Sequence, residues 1–171
     1  DITMCGIIGI AGLNRAPSGV LDNSLKSLAL RGPDDTGVAE FPACMLGHTR
    51  LSIIDLAGGH QPMRDTARDI AIVFNGEIYN YKTLRRELEQ KGHVFITQSD
   101  TEVILKSYAE YGEKCTEYLD GQFAFGLWDN KNQRLFLARD RFGEKPLYVA
   151  TRDGELLFAS EIKALLATGR V

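Results

Sequence analysis

Cysteine is scarce: Cys5, Cys44 and Cys115 are the only three in 171 residues. An odd, sparse set excludes a disulfide framework and fits reduced thiols in a cytoplasmic protein. The three histidines, His48, His60 and His93, stand outside any metal-ligand spacing. With no Cys-x-x-Cys, no His-Glu-x-x-His and no Asp-rich loop, no metal site is expected. A glycine-rich phosphate loop is missing too, since Gly58-Gly59 is short and no Lys-Ser/Thr follows it. Runs of Lys and Arg never exceed two residues and the formal net charge is −3, which argues against a nucleic-acid surface. Apolar runs fall far short of the ~20 residues that cross a bilayer. A signal-peptide pattern is also lacking, so neither membrane insertion nor export is expected. Internal repeats and low-complexity stretches are absent.

What remains is an ordinary globular composition, 44% hydrophobic and 25% charged. The length suits one domain, large enough to bury roughly 70% of its unfolded surface without disulfides or metals. The chain opens Asp1-Ile2-Thr3-Met4-Cys5. Met4 reads as a natural start, and residues 1–4 as a leader or cloning remnant ahead of Cys5.

Patterning supplies the elements. Cys5 to Ala11 is an apolar, Gly-punctuated run that predicts a buried strand. Leu21, Leu25 and Leu28 predict a short amphipathic helix over 21–30, ended by Arg31-Gly32-Pro33-Asp34. Two strands are expected around Cys44–His48 and Arg50–Asp55, then a loop over 57–62. Ile70–Asn75 predicts a buried strand that stops at the turn dipeptide Asn75-Gly76. Lys82–Lys91 reads as a helix ending at Gly92, and Asp100–Tyr111 as a helix capped by Ser99 or Asp100 and stopped at Gly112. Phe123–Trp128 and Leu135–Ala138 form one expected hairpin. Tyr148–Thr151 and Leu156–Ser160 form another around Asp153-Gly154, before a last helix over 161–168. Strands apolar on both sides call for sheets covered on both faces, which two stacked sheets with helices outside would satisfy.

Three sets of residues could carry chemistry. Cys5 becomes a nucleophile only when deprotonated, from a free pKa of about 8.5. Its activator is either a histidine or the chain's own α-amino group, whose pKa of about 7.7–8 suits a general base. The second route requires Cys5 to be the first residue of the mature chain. The plain alternative is a buried structural thiol. Asn75-Gly76-Glu77 could offer a side-chain amide and a backbone N–H to one point, an oxyanion hole for acyl transfer. An ordinary turn would read the same way. Arg50, embedded in an apolar strand, needs a carboxylate, supplied either by a ligand or by a structural ion pair. Asp100 is either a helix cap or a ligand group. Together, a thiol, a donor pair, an Arg and the acids Glu77 and Asp100 match an α-amino acid with an amide side chain. The Arg would take its carboxylate, the acids its ammonium and the donors its amide oxygen.

At these residues a family resemblance appears. The stretches are Met4-Cys5-Gly6-Ile7, Arg31-Gly32-Pro33-Asp34, Gly47-His48-Thr49-Arg50-Leu51-Ser52-Ile53-Ile54-Asp55, Phe74-Asn75-Gly76-Glu77-Ile78-Tyr79-Asn80, Ser99-Asp100-Thr101-Glu102, Gly121-Gln122-Phe123-Ala124-Phe125 and Ala138-Arg139-Asp140-Arg141-Phe142-Gly143-Glu144-Lys145-Pro146-Leu147-Tyr148. In this order they resemble the glutaminase domain of class II glutamine amidotransferases, most of all that of glutamine-hydrolysing asparagine synthetases. Jointly they are specific, although a piece such as Cys-Gly-Ile alone is weak.

The resemblance implies an N-terminal-nucleophile hydrolase fold: α+β, a four-layer αββα sandwich of two stacked, mainly antiparallel sheets. It implies Cys5 as nucleophile with its own α-amine as base through a water, and Asn75 and Gly76 as the oxyanion hole. Arg50, Leu51, Ile54, Asn75, Glu77 and Asp100 would bind glutamine, and Arg31 would position a loop. Residues 5–171 would be the glutaminase domain. The ammonia would pass to an ATP-dependent synthetase domain, in cis or trans, whose pyrophosphate loop is not in this sequence. ATP and Mg would therefore act only there, with no cofactor in this domain. A homodimer is left open, as is the ammonia acceptor. Two other readings stay beside this one: a Cys–His thiol hydrolase using His48, and a scaffold that is inactive while residues 1–4 precede Cys5.

Overall fold

The computed structural model describes residues 4–12, 19–51 and 59–171. Among the described residues nine strands form two sheets, each antiparallel throughout. The first sheet holds β1 (Gly6–Ala11), β2 (Asp35–Phe41), β3 (Cys44–Arg50), β8 (Tyr148–Arg152) and β9 (Glu155–Ala159), in the order β2-β3-β1-β9-β8. The second holds β4 (Met63–Asp65), β5 (Ile70–Ile78), β6 (Gly121–Asp129) and β7 (Arg134–Arg139), in chain order. The helices are α1 (Asp22–Leu28), α2 (Tyr81–Gln90), α3 (Asp100–Tyr111) and α4 (Ile162–Leu166), with a 3-10 segment at Gly112–Glu117.

Three apolar layers fix the stacking. Ile8, Ile10 and Met45 on one face of the first sheet pack against Leu21, Leu25 and Leu28 of the α1 region and Leu165 of α4. Ile7, Leu46 and Phe158 on its other face meet Ala71, Val73, Ala124 and Trp128 of the second sheet. Ile72, Phe74 and Phe125 on the far face of that sheet pack under Leu84 and Leu88 of α2 and Val103, Ile104 and Leu105 of α3. Alternation along each strand sends successive side chains into different layers, so the central strands are apolar on both sides. The result is the expected αββα sandwich.

Several boundaries differ from the sequence reading. Cys44 to Arg50 is one unbroken strand, because Thr49 is a buried, paired position opposite Gly6 and Thr36. The second strand expected there, over 50–55, falls largely outside the described residues. Strands β2 and β4 are additional edge strands; β2 alternates exposed and covered residues, and β4 is only three residues long. The largest difference is in β5, which does not stop at Asn75-Gly76 but runs on to Ile78, paired with β6 down to Gly121. Gly76 makes this continuation possible. At φ +152° it keeps register opposite Phe123, where a Cβ would lie 2.1 Å from the Gln122 carbonyl oxygen. The last helix is shorter than expected, Ile162–Leu166.

Candidate active site

At one end of the sandwich a cavity of about 310 Å³ opens between the sheets. Cys5, Arg50, Leu51, Asn75, Gly76, Glu77 and Asp100, scattered over 96 positions of sequence, all line it. Ile54 lies outside the described residues. Gln61, Phe74, Thr101, Gln122 and Lys145 also line it, as does Met4. None of these six had an assigned role in the sequence reading. Met4, Phe74, Thr101, Gln122 and Lys145 stand inside the stretches that carry the resemblance, whereas Gln61 lies in a loop with no periodic pattern.

Cys5 sits immediately before β1. The strand end is anchored by Ser160, whose Oγ accepts the Ile7 N–H at 3.0 Å and whose N–H donates to the Ile7 carbonyl at 2.9 Å. Arg31 Nε donates to the Cys5 carbonyl at 3.1 Å, and Arg31 is itself held by Glu161 at 3.1 Å. Arg31 thus holds the backbone of Cys5 itself, where the resemblance had it positioning a loop. The Cys5 sulfur accepts the Leu51 N–H at 3.4 Å and lies 3.7 Å from the Leu51 carbonyl. Burial pushes the Cys5 thiol above its ordinary pKa; the Leu51 N–H and the positive charges of Arg50 and Arg31 pull the other way. The thiol is therefore protonated at neutral pH and needs a base to become a nucleophile.

The exposed edge of β5 carries the donors. Neighbouring residues of a strand direct their backbone groups to opposite sides. Phe74 turns both of its groups away from β6, since its N–H goes to Gln61 Oε1 at 2.6 Å and its carbonyl to His48 Nε2 at 3.2 Å. Ile78, four residues on, gives its N–H to Asp100 Oδ2 at 3.1 Å. Gly76 lies midway and shares their orientation. Its register partner Phe123 uses both backbone groups on Asp140, at 3.2 Å and 2.8 Å. The Gly76 N–H is thereby directed along the same edge at the cavity. Beside it, Asn75 is 2% exposed, and its Nδ2 is buried with no hydrogen-bond partner among the described residues. A buried amide without a partner costs free energy in folding, about 1–3 kcal/mol, and such groups concentrate at functional sites.

The acids and the arginine complete the lining. Asp100 is the first residue of α3, whose cap is Ser99, accepting the Thr101 N–H at 3.1 Å. Ser99 is the cap, and the Asp100 carboxylate reaches across from the same helix start to the β5 edge and the cavity. Burial raises the Asp100 pKa above the ordinary carboxylate value, against the lowering effect of the Ile78 N–H. Arg50 ends β3, is 7% exposed, and brings a positive charge to the same wall. Glu77 follows Gly76 and is opposite Gln122 on β6.

The histidines contribute no base here. His48 is 0% exposed, does not line the cavity, and uses Nε2 to donate to Phe74. Burial holds its pKa down at about 4, so it is neutral. His60 pairs with Asp35 and His93 with Glu110. Cys44 and Cys115 are buried in the core, where desolvation raises both thiols, Cys115 to about 12. Among the described residues no group of three or more His, Cys, Asp or Glu side chains could hold a metal ion, and no helix is long and apolar enough to cross a membrane.

Comparison with known proteins agrees with this fold. Residues 4–171 match the family described as the glutamine amidotransferase domain. The chain is 44% identical over 169 residues to the glutamine-hydrolyzing asparagine synthetase 3 of Bacillus subtilis, covering 96% of this chain and 28% of that relative. It is 43% identical over 166 residues to asparagine synthetase 3 of Arabidopsis thaliana, covering 95% and 28%. The chain thus spans little more than a quarter of the length of these relatives. Among solved structures, glutamine phosphoribosylpyrophosphate amidotransferase from B. subtilis, complexed with ADP and GMP, superposes with a TM-score of 0.79 at 25% identity, covering 96% of this chain and 44% of that one. The structure of the allosteric regulatory enzyme of purine biosynthesis gives the same TM-score, 0.79, at 24% identity. With its fold and its motifs in agreement, the chain belongs to the glutamine amidotransferase domain family, in its class II group.

Proposed function

We propose that this glutamine amidotransferase domain hydrolyses the side-chain amide of glutamine through a thioester on Cys5. One observation carries the reading: a buried amide donor without a partner, Asn75 Nδ2, shares a cavity with the thiol. The base is the α-amine of Cys5, acting through a water, since the thiol is protonated at rest and His48 is engaged elsewhere. The base takes the thiol proton and the sulfur attacks the amide carbon. The oxygen of the tetrahedral intermediate receives hydrogen bonds from Asn75 Nδ2 and the Gly76 N–H. The α-ammonium returns its proton to the leaving nitrogen, and ammonia departs. Water then attacks the glutamyl thioester, with the same amine as base, and glutamate leaves.

Substrate recognition follows from charge. Arg50 takes the α-carboxylate, Glu77 and Asp100 the ammonium, and Leu51 and Ile54 line the site. Because the relatives are longer and carry the name asparagine synthetase, the proposed use of the ammonia is an asparagine-synthetase-like amidation. ATP and Mg would act in a synthetase domain, in cis or trans, and no cofactor is needed in this one. A cytoplasmic setting suits the free thiols.

The mechanism requires a free amine on Cys5. In the sequence as written, Met4 precedes it and lines the cavity. Glutamate release from glutamine is compared for the chain beginning at Cys5 and the chain beginning at Asp1. Activity confined to the first supports the α-amine base. Equal turnover by a chain shown by mass spectrometry to retain Asp1 contradicts it.

A further inference from the structure

Phe74 is the residue before the Asn75-Gly76 pair, and the neighbouring strand has already ended. Strand β4 pairs with β5 only as far as Met63 opposite Ile72. Phe74 therefore faces the sheet edge with an N–H and a carbonyl that no strand takes. Two buried side chains from separate elements take them instead. Gln61 Oε1 accepts the N–H at 2.6 Å, and His48 Nε2 donates to the carbonyl at 3.2 Å. Gln61 is 6% exposed and His48 is 0% exposed. His48 stands on β3, so its bond crosses from one sheet to the other. Gln61 Nε2 also reaches Thr101 Oγ1 at 3.4 Å, beside Asp100.

We infer that Gln61 and His48 are positioning residues for amide hydrolysis, whose two-sided grip on Phe74 fixes where Asn75 and Gly76 present their donors. The inference rests on the glutaminase reading above. The Phe74 carbonyl and the Asn75 nitrogen belong to one rigid peptide plane. The His48 bond to that carbonyl sets the tilt of the plane from which Asn75 departs. The Gln61 bond to the Phe74 N–H sets the plane before it. Without both, the strand edge would bond to water and pivot, and the oxyanion donors would move with it. Donors act on an oxyanion only when placed about 2.7–3.1 Å from it. Neither side chain needs to touch the reacting atoms for this effect.

The test uses the full chain processed to begin at Cys5, with the variants Gln61→Met, His48→Leu and His48→Gln. Gln61→Met and His48→Leu should each lower kcat about tenfold or more while KM stays within about threefold, as expected for misplaced transition-state donors. Alkylation of Cys5 by iodoacetamide, which passes through no oxyanion, should keep its parental rate. Amide hydrogen exchange at Phe74 should quicken while the amides of α2 stay unchanged. His48→Gln, whose side-chain amide can still donate to the Phe74 carbonyl, should recover most of the loss. A Gln61→Met kcat equal to the parent's overturns the inference. So does a raised KM with kcat kept, which would make Gln61 a substrate contact. Should His48→Leu not fold, Gln61→Met and His48→Gln decide the matter. A parent that releases no glutamate overturns the glutaminase reading itself. Unchanged exchange at Phe74 in Gln61→Met overturns the grip in either case.

Discussion

Asp100 accepts the backbone N–H of Ile78 at 3.1 Å, joining the first residue of α3 to the edge of β5 two positions beyond Gly76. One oxygen of this carboxylate thus serves the fold, while the proposed role of its charge is to hold the ammonium of glutamine, and two substitutions separate the duties. Asp100→Asn keeps an acceptor for Ile78 and loses the charge. It should leave thermal stability nearly unchanged and raise KM for glutamine at least about tenfold, the size of one charge-assisted contact. Asp100→Ala should raise KM similarly and also destabilise the domain by about 1–3 kcal/mol, because the Ile78 N–H is left without its acceptor. Urea denaturation beside steady-state kinetics tells the two apart.

Asn75 should separate activity from stability in the opposite sense. Its Nδ2 has no partner among the described residues, so folding gains nothing from that donor. Asn75→Ala should lower kcat by about 10²–10³, the cost of one oxyanion donor, with little loss of stability. A melting temperature that drops as far as activity would mark Asn75 as a structural residue.

Gly76 is fixed by space. A Cβ there would lie 2.1 Å from the Gln122 carbonyl oxygen and 2.7 Å from the Phe123 Cα. Gly76→Ala should therefore force β5 from β6, costing about 3 kcal/mol or more, beyond the usual strain of a positive φ. At Gly92, also at positive φ, a Cβ would meet nothing within 4 Å. Gly92→Ala should cost only about 1 kcal/mol. Chemical denaturation of the two variants measures the difference.

His48 should make the fold sensitive to acid. Its folded pKa, about 4, lies below the ordinary 6.5. As pH falls through 6.5 the unfolded chain takes up a proton that the folded chain refuses until about 4. Stability is therefore full above 6.5 and declines from there to about 4, by about 3 kcal/mol in all. His48→Gln should remove that part of the pH slope. Denaturation midpoints at a series of pH values between these limits provide the measurement.

Much of the fold was legible in the sequence because its signals are local. The Ser99 cap, the stop at Gly112 and the Asp153-Gly154 hairpin each declare themselves within a few residues. Strands β2 and β4 do not, since a half-exposed edge strand and a three-residue strand carry too little apolar pattern. Asn75-Gly76 misleads as a turn signal because the glycine is needed for close approach to β6, a tertiary demand that composition cannot reveal. The cavity gathers the candidate residues that lie in described segments, whereas Gln61 escaped notice. Its importance arises from a backbone edge that exists only because β4 reaches no farther along β5 than Met63 opposite Ile72.

The central claim, a glutamyl thioester on Cys5, is open to direct observation. The chain beginning at Cys5 is mixed with glutamine, quenched in acid within one turnover, and digested for mass spectrometry. A single glutamyl group on the Cys5 peptide, absent in Cys5→Ala and lost on treatment with hydroxylamine, is the predicted result. Steady release of glutamate with no adduct on Cys5, or undiminished release by Cys5→Ala, would contradict the account.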